Sequence, residues 1–206
     1  MAEQLPYSTP PSFGLETFAD NPEGRWPWVL VLDTSGSMAG APISELNAGL
    51  VTLKDELVAD RLAAERVELA IVTFGPVEVA CDFQGVRAFQ PPTLVASGET
   101  PMGGAVTGAM ALLKQRRGIY RTNGIPSYKP WVVLITGGAP TDRWQDAAAA
   151  SKAADGRSEL AFFAVGVEGA NFETLKYFSN REPLKLQGLR FRDLFHWLVK
   201  DVSLHE

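Results

Sequence analysis

The chain has 206 residues, of which 46% are hydrophobic, and this predicts one globular domain with one sizeable core. Its net charge is −5 and it has no long block of like charges, so nucleic acid is not expected as its primary partner. The single cysteine, Cys81, excludes an internal disulfide framework and is compatible with a reducing compartment.

Residues 1–24 are predicted to form a partly irregular N-terminal arm, because proline and small polar residues recur there. Phe13, Leu15 and Phe18 are expected to attach this arm to a single domain over residues 25–206. The start has no basic n-region or apolar h-region, and no apolar run reaches membrane-spanning length. We therefore expect a cytoplasmic location and no membrane partner.

The first elements of the domain are an apolar strand, an amphipathic helix and two further strands, predicted over residues 28–33, 42–58, 67–74 and 77–83. Pro42 suits the first turn of the helix. Gly75 and Pro76 leave room only for a tight turn between the last two strands. A connection this short predicts an antiparallel hairpin.

Thr100 as N-cap and Pro101 at the first helical position predict a helix that ends near residue 117. Asp142 and Gln145 are spaced as the capping box of a later helix. Strands are also predicted over residues 131–136, over 160–165 and near 184, and helices over 171–178 and from 190. This alternation predicts an α/β fold with a doubly wound, mostly parallel central sheet, one antiparallel edge strand and helices on both faces.

A carboxylate and two hydroxyls follow the first strand in the pattern D-x-S-x-S, as Asp33, Ser35 and Ser37. Hard divalent cations prefer oxygen ligands, and Mg²⁺ in particular takes few of them from the protein. Zinc and copper, which favour nitrogen and sulfur, suit this set poorly. The alternative is a polar turn in which the serines bind backbone groups, and the motif alone leaves both interpretations open.

Two more loops are predicted at the same edge of the sheet as this motif. In open α/β sheets, ligands bind at the carboxyl ends of the strands. Residues 33–40, 97–104 and 137–142 all fall there, and the second loop contributes Thr100. Convergence of three distant loops is a more specific indication of a binding site than the first motif alone.

A family resemblance lies in three loop sequences, Asp33-Thr-Ser-Gly-Ser-Met, Ser97-Gly-Glu-Thr-Pro-Met102 and Leu134-Ile-Thr-Gly-Gly-Ala-Pro-Thr-Asp142. They resemble the loops that form the metal-ion-dependent adhesion site of von Willebrand factor type A (VWA) domains. The similarity extends from about residue 25 to the C-terminus. Within the family, the chain looks most like the bacterial TerY/YegL-like group, which is associated with tellurium resistance and stress responses.

The resemblance implies a metal site built from Asp33, Ser35, Ser37 and Thr100, with Mg²⁺, Mn²⁺ or Ca²⁺ as the ion. In such domains the two serines and the threonine contact the ion, and aspartates hold it mainly through water. An acidic side chain of a partner protein completes the coordination. For the TerY-like group, a protein kinase or phosphatase is the implied partner.

The third loop departs from the family pattern, because Gly137 stands where the family usually has aspartate. Loss of an outer carboxylate typically lowers metal affinity by about 10–100-fold, so we expect a weakened site. Asp142 is the candidate substitute ligand, although its capping-box spacing favours a structural role. Met38, Pro101 and Met102 flank the predicted site and are expected to form an apolar rim around the incoming side chain.

Enzyme chemistry is disfavoured by what the motif lacks. A phosphatase of the haloacid-dehalogenase type needs a second aspartate where Ser35 stands. A serine hydrolase needs a base near Ser35 or Ser37, but His196 and His205 lie in the last helix and at the terminus. The chain also lacks the glycine-rich phosphate-binding motifs.

Two other features are expected to be structural. Lys114, Arg116, Arg117 and Arg121 are predicted to form a solvated helix end. Trp144 begins a helix beside the predicted site and is expected to contact either a partner or the core.

Two functional classes remain. The first is a metal-dependent interaction module, serving as a scaffold in a bacterial stress-response system. The alternative is a metal-independent scaffold that uses the same edge, and a metal-dependent phosphatase-like enzyme is a distant third.

Overall fold

The computed structural model describes residues 21–188 and 190–203. Most of the predicted arm, residues 1–24, lies outside these residues, together with Phe13, Leu15, Phe18 and His205. Within the described part of the chain, no helix is both long enough and apolar enough to cross a membrane.

The described residues form a six-stranded sheet in the order β3-β2-β1-β4-β5-β6. The strands are β1 (Trp26–Asp33), β2 (Val67–Phe74), β3 (Glu78–Gly85), β4 (Trp131–Thr136), β5 (Ala161–Gly166) and β6 (Leu184–Lys185). β2 and the edge strand β3 are antiparallel, and all other neighbouring strands are parallel. The predicted α/β class, the mostly parallel sheet and the antiparallel edge strand are confirmed.

Helices cover both faces of the sheet. They are α1 (Ala41–Ala59), α2 (Arg61–Arg66), α3 (Met102–Thr122), α4 (Gln145–Gly156), α5 (Phe172–Leu175) and α6 (Phe191–Ser203). Successive side chains of β1 point to opposite faces. Trp28 and Leu30 belong to the core under α1 and α6, whereas Val29 and Val31 belong to the core under α3 and α4. Because both faces are buried, β1 is apolar along most of its length.

Two helices begin later than the sequence predicts. α3 begins at Met102 and has Pro101, not Thr100, at its N-cap position. α4 begins at Gln145, so the capping box between Asp142 and Gln145 does not form. In both cases the polar residue takes part in a tertiary contact at the edge of the sheet, described below.

β1 and β4 bring the first and third predicted loops together. The two strands are parallel neighbours, with Leu32 beside Ile135, so they end at the same edge. β2 lies on the other side of β1, and the order of the strands therefore reverses around β1. Such a switch point opens a crevice at the carboxyl ends of the strands, where ligands bind in α/β sheets.

A buried ionic network closes the opposite, amino edge of the sheet. Glu68 accepts a hydrogen bond from Arg116 Nε at 2.8 Å and another from Tyr120 Oη, and its Oε1 lies 3.6 Å from Arg25 Nε. Burial, reinforced by the Glu68 carboxylate, raises the pKa of Tyr120, so the phenol remains a donor. The prediction that Arg116 belongs to a solvated helix end is therefore wrong.

Asp155 joins the end of α4 to the segment that follows α5. Its carboxylate accepts hydrogen bonds from Ser179 Oγ at 3.1 Å and from the Asn180 N–H at 3.0 Å, and it pairs with Arg181. Burial acts to raise the pKa of Asp155, but the Asn180 hydrogen bond and the Arg181 guanidinium outweigh it and lower the pKa.

Asp155→Asn is expected to destabilise the fold near neutral pH but not in acid. Because the folded-state pKa lies below the unfolded value of about 3.9, the ionised carboxylate stabilises the fold above that pH. Its contribution is lost as the pH falls through the folded-state pKa. Urea unfolding of both proteins as a function of pH checks this, with Asp55→Asn, an exposed position on α1, as control. A stability difference that is constant across pH would contradict the assignment.

Candidate metal-binding site

Asp33 ends β1 at the switch point, and its side chain is fully buried. The Ser35 N–H donates to its Oδ1 at 2.8 Å. Its Oδ2 accepts from Thr136 Oγ1 at 2.7 Å and from the Gly137 N–H at 3.0 Å. These three contacts join the first and third loops through one carboxylate and fix its orientation.

No basic side chain of the described residues forms an ion pair with Asp33. Its three hydrogen-bond donors are neutral. A carboxylate buried in this way is costly unless it is paired or coordinates a metal. Asp33 is therefore chemically suited to a cation in the adjacent crevice.

The two serine hydroxyls of the first loop lie next to each other. Ser35 Oγ and Ser37 Oγ are 2.9 Å apart. Adjacent ligands of an octahedral Mg²⁺ ion, each about 2.0–2.1 Å from the metal, are also about 2.9 Å apart. The spacing of the pair thus fits neighbouring ligand positions around a small hard cation.

Thr100 faces the same crevice from the second loop. A Cβ placed on Gly138 would lie 3.2 Å from Ser37 Oγ and 3.5 Å from Thr100 Oγ1. The two hydroxyls are therefore close to one common point, and a side chain at position 138 would intrude on that space. Glycine at this position keeps the space between the three loops open.

The backbone holds the first and second loops side by side. The Ser97 N–H donates to Thr34 O at 2.7 Å. Gly75, with φ of +125°, packs against this contact, since a Cβ there would lie 2.7 Å from Ser97 O and 2.8 Å from Ser35 N. Only glycine combines this φ with so close an approach. The turn after β2 therefore supports both loops of the site.

Gly137 occupies the position where the family usually has aspartate, and the space beside it is filled. A Cβ on Gly137 would lie 2.8 Å from Met38 Sδ and 3.0 Å from Val167 Cγ2. The loop is therefore packed as a glycine-containing loop. Within the described residues, no group of three His, Cys, Asp or Glu side chains is placed to hold a metal. The candidate oxygen ligands that the three loops bring together are the Asp33 carboxylate and the hydroxyls of Ser35, Ser37 and Thr100.

Asp142 caps a neighbouring helix instead of replacing the missing carboxylate. Its Oδ1 accepts from the Gly103 N–H at 2.9 Å and its Oδ2 from the Gly104 N–H at 2.7 Å, both at the start of α3. A carboxylate at a helix N-terminus satisfies unpaired N–H groups and favours the helix dipole. The predicted structural role is therefore present, but at a different helix, and both oxygens are engaged there.

The predicted apolar rim is wrong for two of its three residues. Met38 and Met102 are fully buried, and only Pro101 is partly exposed. Met38 packs under Gly137, and Met102 begins α3 with its side chain in the core. Trp144 is partly buried and stacks on Phe178, so it packs against the core.

Two threonines of the site were not identified from the sequence. Thr136 Oγ1 orients the Asp33 carboxylate, and Thr141 Oγ1 accepts the Thr100 N–H at 3.1 Å. Thr136 could have been identified from its position as the last residue of β4, because the register of β4 against β1 places that residue beside Asp33. Thr141 has no comparable local signal, because its partner is distant in sequence.

His196 does not supply a catalytic base to these serines. Its Nδ1 lies 2.9 Å from Glu56 Oε1, and the two residues join α6 to α1. His205 lies outside the described residues.

Comparison with solved structures places the fold among proteins of diverse origin. The pilus adhesin SpaC from Lactobacillus rhamnosus GG is 14% identical, with a TM-score of 0.66, over 87% of this chain and 31% of that one. The SpRpn10 VWA domain is 12% identical, with a TM-score of 0.59, over 84% of this chain and 95% of that one. Proximal thread matrix protein 1 from the mussel byssus, with a zinc-occupied MIDAS motif, is 15% identical, with a TM-score of 0.57, over 90% of this chain and 46% of that one.

The chain thus spans less than half of the mussel and pilus proteins, which are longer. No curated protein sequence matches it. A family model, that of the von Willebrand factor type A domain, matches residues 29–187. This match covers most of the chain and includes all three loops, so the chain belongs to the von Willebrand factor type A domain family.

Proposed function

We propose that the chain is a protein-interaction module whose metal site captures an acidic side chain of a partner protein. The observation that carries the proposal is the fully buried Asp33 carboxylate, held only by neutral donors, beside a pair of serine hydroxyls 2.9 Å apart. Asp33, Ser35, Ser37 and Thr100 would hold Mg²⁺, Mn²⁺ or Ca²⁺. The bound cation would supply an electrophilic position for the partner's carboxylate.

The remaining parts of the proposal rest on the family resemblance. The VWA domain would extend over residues 25–206 after an arm of residues 1–24. It would act without enzymatic activity as a cytoplasmic scaffold of a bacterial TerY/YegL-like stress-response system. A protein kinase or phosphatase would be its partner.

Gly137 supports a second candidate function, a metal-independent scaffold that binds through the same edge. With glycine there, position 137 contributes no carboxylate, and Met38 and Val167 fill the adjacent space. Partner binding that persists unchanged in a chelator would favour this second function.

Ser35→Ala tests the metal site most selectively. The substitution removes one hydroxyl but keeps the N–H that holds Asp33 Oδ1, so the fold should persist while Mg²⁺ affinity falls by at least about tenfold. Calorimetric titration measures this, with Ser44→Ala, an exposed serine on α1, as the matched control. An unchanged isotherm for Ser35→Ala would remove this hydroxyl from the site.

Gly137→Asp should strengthen metal binding by about 10–100-fold, the usual effect of an outer carboxylate. The new side chain must displace Met38 and Val167, so we expect a cost of about 1–3 kcal/mol in unfolding free energy. Combining it with Met38→Ala provides space for the aspartate. Calorimetry and urea unfolding of the single and double variants separate the two effects. Equal metal affinity in wild type and both variants would contradict a role for position 137.

A further inference from the structure

A groove of about 590 Å³ lies between α3 and the connection from α4 to β5. Its apolar floor is formed by Leu113, Ala154 and Leu160, and its rim carries Lys114, Arg117 and Arg121. We call these six residues the basic groove. The chain as a whole has a net charge of −5, so this local cluster of positive charge is opposite in sign to the net charge of the chain.

The three cations of the basic groove form a row along one face of α3. Their spacings of three and four residues place them one above the other on a helix. The row is about 10 Å long, at about 1.5 Å per residue. Like charges at these spacings repel, so the row is better tolerated when an anion lies beside it.

The helix dipole accounts for only one of these cations. Arg121 lies in the last turn of α3, where a positive charge is favourable. Lys114 and Arg117 lie further from the helix end, and the dipole effect fades beyond the last turn. Arg116 faces elsewhere and pairs with Glu68.

The charge of the row is only partly balanced by its neighbours, because the Glu159 carboxylate interacts with Arg117 as well as with Arg157. Lys114 and Arg121 form no ion pair with the described residues. Arg117 donates to the backbone oxygen of Glu159 at 3.4 Å, while the Glu159 carboxylate pairs with Arg157 at 2.7 Å. The acidic side chain in the groove wall therefore already has a partner.

The basic groove is remote from the metal edge. α3 has 21 residues and is about 30 Å long. Its first residues accept the Asp142 cap beside the metal site, whereas its C-terminal half lines the groove. A ligand in the groove would therefore leave the crevice at Asp33 accessible.

We propose that the basic groove binds an extended acidic segment of a partner protein, independently of the metal site. Side chains on one face of an extended segment recur about every 6.6 Å, so two or three carboxylates can match the row of cations. An apolar side chain on the same face of the segment, in place of one carboxylate, would meet the floor. Nucleic acid fits less well, because the described lining residues include no aromatic side chain for base stacking.

The test uses a fluorescein-labelled peptide of alternating glutamate and serine with a central leucine, titrated with the full chain in chelator. Fluorescence anisotropy should show saturable binding that weakens as salt is added. The double variant Lys114→Glu/Arg121→Glu should bind the peptide with an affinity at least about tenfold lower. The control Arg87→Glu/Lys129→Glu makes the same change in net charge at exposed positions outside the groove and should leave binding unchanged.

Two further measurements make the result specific. Ser35→Ala should bind the peptide like the wild type, so failure of the metal site and failure of the groove are distinguishable. A matching peptide with lysine in place of glutamate should not bind. The proposal is overturned if the acidic peptide does not bind, if both charge-reversed proteins lose binding equally, or if labelled oligothymidylate binds more tightly with the same dependence on Lys114 and Arg121.

Discussion

In the Asp33→Asn variant, Mg²⁺ is expected to have almost no effect on thermal stability, whereas it should stabilise the wild type clearly. A ligand at about 100 times its Kd stabilises the native state by about 2.7 kcal/mol. For a chain of this size that corresponds to a rise in Tm of about 5–10 °C. Asp33 is the one carboxylate that the crevice has at the end of β1, so its loss should weaken binding by about 100-fold or more. The same Mg²⁺ concentration would then stabilise the native state of the variant by only about 0.4 kcal/mol.

Thermal unfolding with added Mg²⁺ and with chelator measures this difference. Asp193→Asn, an exposed carboxylate on α6, is the matched control and should keep the full stabilisation. If Mg²⁺ raises the Tm of Asp33→Asn as much as that of the wild type, Asp33 does not bind the ion.

Glu68→Gln is expected to cost about 3–5 kcal/mol of unfolding free energy, the usual effect of removing one partner of a buried ion pair. Glutamine cannot neutralise Arg116, whose Nε lies 2.8 Å from Glu68 Oε2, or Arg25 on the other side of the carboxylate. All three side chains are largely buried, so water cannot replace the lost charge.

Urea unfolding measures the cost, and Glu159→Gln is the comparison. Glu159 also pairs with an arginine, Arg157, but both side chains are about half exposed, with relative accessibilities of 47% and 61%. Loss of such a surface pair should cost far less, because solvent screens the two charges. Equal costs for the two substitutions would contradict the importance of burial at Glu68.

The sheet was predictable because each of its main strands is a short apolar run that ends at turn-forming residues. β2 is an apolar run that ends at Gly75 and Pro76, and its predicted bounds match the structure. β4 was also placed correctly, since its apolar residues end at the polar and glycine-rich third loop. Strands that alternate with helices then predicted the parallel sheet and the edge at which the loops meet.

The predictions that failed depend on contacts between distant residues. Asp142 and Gln145 have the spacing of a capping box, but Asp142 instead binds two N–H groups of α3, which are nearly forty residues away. Arg116 resembled a solvated cation near a helix end, and only the packing of α3 on β2 shows its buried partner. Met38 adjoins the site in sequence, but the fold turns it inwards beneath Gly137. No local pattern distinguishes these outcomes.

The candidate site contains one feature that the local sequence predicts and one that depends on a contact between distant residues. The D-x-S-x-S pattern indicated oxygen ligands from the sequence alone, and the structure brings Ser35 Oγ and Ser37 Oγ to 2.9 Å. Thr136, which orients Asp33, was missed because its role depends on the register of β1 against β4.

The most direct test of the proposed metal site is calorimetric titration of chelator-treated protein with Mg²⁺ and then Mn²⁺. Saturable binding at one site, lost in Asp33→Asn and weakened in Ser35→Ala, is the predicted result. Absence of heat and of any Tm shift with either ion, in a protein that remains folded, would contradict a metal site in this chain.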